Sequence, residues 1–128
     1  MDELPAPRNL DPASFDRTDF TPYHEGANVL PHDYIFHRLY FLAAYQNTTA
    51  VRDTYNGLEV DYRQLLTDII FARNRIRDAV STKTMEMIRN NEEVSILVVA
   101  RGYEFVVSFF AVLALGAIAV PQSKYYRI

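Results

Sequence analysis

The sequence contains no cysteine and no tryptophan, and only four glycines among its 128 residues. Without cysteine there is no disulfide framework, no thiolate metal site and no cysteine nucleophile, and the redox compartment stays open. The glycines, Gly26, Gly57, Gly102 and Gly116, stand singly, so no glycine-rich loop is present to cradle phosphates. Basic excess is missing too. Thirteen Lys and Arg against 16 Asp and Glu leave a formal net charge of -3, which gives no field to attract a phosphate backbone and argues against nucleic-acid binding. The most apolar stretch, Phe105 to Val120, is 16 residues long, short of the roughly 20 needed by a spanning helix. What the chain does have is 49% hydrophobic and 23% charged residues, the balance of an ordinary globular domain.

Three segments follow from composition. Residues 1–30 read as an extended leader: the amino-terminal stretch "MDELPAPRNLDPASFDRTDFTPYHEGANVLPHD", residues 1–33, is acidic and holds five of the six prolines, four of them before residue 31. It lacks the basic start and apolar run of a secretory signal, so an intracellular protein is expected, cytoplasmic or peroxisomal. Asn47-Thr48-Thr49 matches a glycosylation acceptor that such a chain would not have modified. Residues 31–123 form the regular part, and residues 124–128 a divergent tail.

Within the regular part, "PHDYIFHRLYFLAAYQ" places Ile35, Leu39, Leu42 and Ala43 at helical spacing, predicting a helix from Pro31 to Tyr45 with the proline in its first turn. "TAVRDTYNGLEV" predicts a hairpin, with Asn56-Gly57 as a positive-φ pair in its turn. "DYRQLLTDIIFARNRIRDAV" predicts a helix capped by Asp61, with Tyr62, Leu65, Leu66, Ile69, Ile76 and Val80 on its apolar stripe and Arg73, Arg75 and Arg77 on a solvated face. "STKTMEMIRNNEE" reads as a polar linker. "VSILVVA" has no alternation, as for a strand buried on both faces of a parallel sheet. "YEFVVSFFAVLALG" is a buried helix with Glu104 at its positive end and Gly116 just past its other end, and "AIAVP" is a short strand. Strand, helix and strand make a βαβ unit with Gly102 in its turn.

"VSILVVARGYEFVVSFFAVLALGAIAVPQS", Val94 to Ser123, resembles the early segment of the adenylate-forming (AMP-binding) acyl-CoA synthetase family. Upstream, "VDYRQLLTDIIFARNRI" is similar to that family's tyrosine-led helix, with Tyr62 and Leu65 at the pattern positions and the hairpin before it. The resemblance covers about residues 34 to 123 and is nearest to fungal acyl-CoA ligases of the malonyl-CoA synthetase-like branch. It implies an α/β fold, a partial N-terminal subdomain of an adenylate-forming enzyme. For a full-length relative it implies ATP, Mg and coenzyme A, with an acyl-adenylate formed first and a thioester second. The family's phosphate loop and catalytic lysine have no counterpart in this sequence, so no catalytic, cofactor-binding or metal residue is assigned. Ser123-Lys124-Tyr125 is encodable by AGT-AAG-TAC, which contains a common intron start, and the tail is expected to be intron read-through or gene truncation.

The remaining polar residues have plain roles. His24, His32 and His37 do not share a helical face, and no metal site is expected of them. Asp11, Asp16 and Asp19 keep the leader soluble. Arg101 and Glu104 bracket the turn before the buried helix, where an ion pair or a cap is expected. Ser108 lies within that helix, where its hydroxyl bonds back to the chain. Three readings stand: an incomplete, non-catalytic acyl-CoA ligase; a truncated module that pairs with a full-length ligase through an exposed sheet edge; and a small tail-anchored membrane protein.

Overall fold

In the computed structural model, residues 30, 31 and 33–122 are described. Helix α1 (Tyr34–Tyr45) leads to an antiparallel hairpin of β1 (Thr49–Asp53) and β2 (Leu58–Asp61). Helices α2 (Tyr62–Ala79) and α3 (Thr82–Arg89) follow, then strand β3 (Ser95–Val98), helix α4 (Gly102–Leu115) and strand β4 (Ile118–Pro121). Strands β3 and β4 are parallel neighbours, so α4 is the crossover of a βαβ unit. The chain is therefore a mixed α/β fold, with a hairpin and a separate two-stranded parallel sheet.

Helix α1 starts later than its proline suggests. Asp33 is the N-cap residue, and Pro31 lies outside the helix, buried beside Leu30. Its core face is also turned from the predicted one: Phe36, Leu39, Tyr40 and Ala43 are buried while Ile35 is 44% exposed. Both faces have helical spacing, and the inward one carries the aromatic rings, which bury more surface. In the hairpin a four-residue loop, residues 54–57, separates the closing pair Asp53 and Leu58. Only Gly57, at φ +65°, has positive φ there. A loop of this length is built around a turn ending in one left-handed residue, so the expected pair reduces to one.

Asp61 caps α2 as expected, its carboxylate accepting the Gln64 N–H at 2.8 Å. The predicted polar linker is instead helix α3. Ser81 accepts the Thr84 N–H at 3.1 Å, and Met85 and Ile88, three apart, are buried. Its end is fixed by Asn91 at φ +59° with bonds from Asn91 N to Ile88 O and from Glu92 N to Met87 O, the reciprocal pattern of a Schellman stop. Helix α4 ends the same way at Gly116, φ +92°, with Ala117 N bonded to Val112 O.

Two apolar clusters result. One joins Leu30, α1, Val60, α2 and Ala114; the other joins Met85 and Ile88 of α3 to Val98, Val112, Leu115 and Ala117. Helix α4 feeds both, and it packs most extensively along α2. Its position therefore sets that of the parallel sheet.

Candidate functional site

Two features built around α4 have chemical character: a polar clasp at its N-terminus and the outer face of the sheet it connects. The clasp centres on Asp53, the last residue of β1, which is buried at 6% exposure. Asp53 Oδ1 accepts the N–H groups of Tyr55 and Asn56 at 3.1 and 3.2 Å, and Oδ2 accepts Asn56 Nδ2 at 2.9 Å. Oδ2 also accepts the Tyr103 N–H, at 3.0 Å, from the first turn of α4. One carboxylate thus closes the hairpin turn and caps a helix 50 residues downstream, where the macrodipole favours negative charge. The Tyr103 N–H bond first, then the Asn56 side chain, holds its carboxyl below the usual carboxylate range.

Gly102 makes this approach sterically feasible. At φ +63°, a Cβ there would stand 2.3 Å from Asp53 Oδ2. Beyond it, the Tyr103 hydroxyl donates to Asp68 Oδ2 at 2.5 Å, while Asp68 Oδ1 accepts Gln64 Nε2 at 2.9 Å. Burial, then the Asp68 hydrogen bond, pushes the Tyr103 phenol well above its ordinary value. Arg101 turns outward to the hairpin: Nη2 donates to the Tyr55 hydroxyl at 2.9 Å, and its guanidinium carbon lies 4.3 Å from the ring centroid.

The clasp is structural in character. Both Asp53 oxygens are engaged as acceptors, and a carboxylate held below its ordinary range is a poor proton acceptor at neutral pH. It also bears on whether this helix end fits a phosphate. The α4 N-terminus, reached from a strand through Gly102, is the position where a helix end would receive a phosphate. Asp53 already fills it, and its charge would repel an anion. At this helix end the residues present do not fit a phosphate of ATP.

The second feature is the β3–β4 sheet. Its inner residues, Ile96, Val98 and Ala119, lie with Ala117, just before β4, in the cluster with α3 and α4. Its outer residues are bare: Leu97, Ile118 and Val120 are 55%, 45% and 38% exposed, and Val99, just past the end of β3, is 50% exposed. Leu97 pairs directly with Val120, so two of these side chains are lateral neighbours. This corrects the expectation that β3 is buried on both faces. Among the described residues, helices cover one face alone.

Arg73 corrects another expectation. It is fully buried in α2, not solvated, and its charge reaches the Tyr40 phenol. Burial raises Tyr40 to about 12, opposed by the Arg73 charge and by the Leu30 backbone N–H. Arg75 is exposed, and Arg77 is half-buried with Nε 3.3 Å from Asp78. The spacing Leu66, Ile69, Ile70, Arg73 was a legible inward stripe; the charge of its last member hid it.

The other singled-out residues are not brought together. His37 is half-buried in α1, Ser108 is half-buried in α4, Glu104 is exposed in the first turn of α4, and Asn47 is exposed before β1. His24, His32, Asp11, Asp16, Asp19 and the 123–128 tail lie outside the described residues. Among the described residues no three His, Asp or Glu group as metal ligands, and no helix is long and apolar enough to cross a membrane. Comparison of the chain with protein-family models, with curated proteins and with solved structures returned no match.

Proposed function

We propose that this chain is the N-terminal α/β segment of an adenylate-forming acyl-CoA ligase, and that in this form it docks but does not catalyse. The observation that carries the reading is the bare outer face of the β3–β4 sheet. Parallel sheets occur almost only with both faces covered by helices, and here Leu97, Val99, Ile118 and Val120 form an uncharged surface with no cover among the described residues. From the hairpin onward the order is hairpin, two helices, strand, crossover helix and strand; the hairpin before α2 and the βαβ unit are the parts that support the resemblance between residues 34 and 123.

Catalysis by this chain is disfavoured on its own chemistry. Adenylate formation needs donors aimed at the oxygens of a transferring phosphoryl group, and the helix end best placed to supply them is capped by Asp53. ATP, Mg and coenzyme A belong, on this reading, to the portion of a ligase that the sheet would dock. A cytoplasmic or peroxisomal compartment goes with it. The tail-anchor reading is weaker, because the 14 residues of α4 span about 21 Å against a hydrocarbon core of about 30 Å.

The test is the transcript across the Ser123 codon. A spliced form whose frame continues into a Ser/Thr-Gly-rich phosphate loop supports the reading. Transcripts with no splice junction at Ser123 remove the splicing version and leave the second reading, a module pairing with a full-length ligase through an exposed edge of the sheet. A continuation without any such loop overturns the ligase reading.

A further inference from the structure

We draw no further inference here: the strongest candidate, the uncharged outer face of the β3–β4 sheet at Leu97, Val99, Ile118 and Val120, belongs to the site already described, and nothing in the structure shows what covers it.

Discussion

Replacing Gly102 with alanine tests the clasp where its geometry is tightest. The added Cβ would lie 2.3 Å from Asp53 Oδ2 and 3.0 Å from Asp53 Cγ, closer than carbon approaches in packed proteins. The obstacle is a side chain, but not a yielding one: Tyr55, Asn56 and Tyr103 all hold it by hydrogen bonds. Two costs therefore combine. Keeping an L-residue at φ +63° costs about 1–2 kcal/mol, and forcing atoms into a filled space costs about 1–3 kcal/mol more. The sum, roughly 2–5 kcal/mol, is a large share of the ~5–15 kcal/mol stability of a typical domain. Gly57 is the internal control, because its φ is +65° and a Cβ there meets nothing within 4 Å. Gly57→Ala incurs the backbone cost alone. Denaturant unfolding followed by far-UV circular dichroism, with the tyrosine signal as a second probe, gives both values. Gly102→Ala should cost about 1–3 kcal/mol more than Gly57→Ala, and Asp53→Ala should partly relieve it, since residues in contact are not additive. Equal losses for the two glycine variants, or strict additivity with Asp53→Ala, would refute the reasoning.

Other outcomes follow from the same geometry. The Asp53 carboxyl is depressed in the fold, so its contribution is present above the ordinary carboxylate value and is lost as pH falls through the folded one. Asp53→Asn should be less stable than the parent at neutral pH, and its deficit should shrink on acidification below about pH 4. A deficit that stays constant with pH would contradict this. Tyr40, raised to about 12, stabilises the fold below about pH 10, the ordinary tyrosine value, and that contribution disappears as pH rises through the folded value. Because the Arg73 charge lowers the Tyr40 value, Arg73→Met should delay Tyr40 ionisation in an absorbance titration; earlier ionisation would exclude the contact. Leu97→Lys with Val120→Lys places charges on the open face at exposed positions, and should lower hydrophobic-dye binding and self-association with little change in unfolding midpoint. Unchanged dye binding would show that the face is not the accessible surface.

Much of the fold was legible because local signals and tertiary packing agree. Asp61 before α2, Gly57 in the hairpin loop and Gly116 after α4 act within a few residues of themselves, which is the range a sequence pattern reports. Helix α3 was legible in principle: Ser81, the Met85 and Ile88 pair, and Asn91 mark its cap, face and stop. Its short length and polar composition outweighed those marks. The clasp could not be read that way. Asp53 in a hairpin reads as a turn residue, and its second role depends on Tyr103, 50 positions away. Arg73 was missed because charge argues for exposure unless a partner is known, and its neighbour Tyr40 lies on another helix. The open sheet face shows the converse. "VSILVVA" has the composition of a strand covered on both sides, and Leu97 and Val99 are nonetheless about half exposed; a run of apolar residues says what cover a strand wants, not whether the cover is present.

Burying the four outer side chains, each about half exposed, corresponds to roughly 3–6 kcal/mol at ~1.5–3 kcal/mol per fully buried aliphatic side chain. A docking role for that face is best tested by reconstitution. The chain would be co-expressed with an acyl-CoA ligase lacking its own matching segment, and carboxylate-dependent exchange between ATP and pyrophosphate measured on the purified mixture. The account predicts no exchange from either piece alone, a co-purifying complex with exchange when both are present, and loss of both in the Leu97→Lys, Val120→Lys chain. Exchange by the chain alone, or a complex indifferent to those two substitutions, would contradict it.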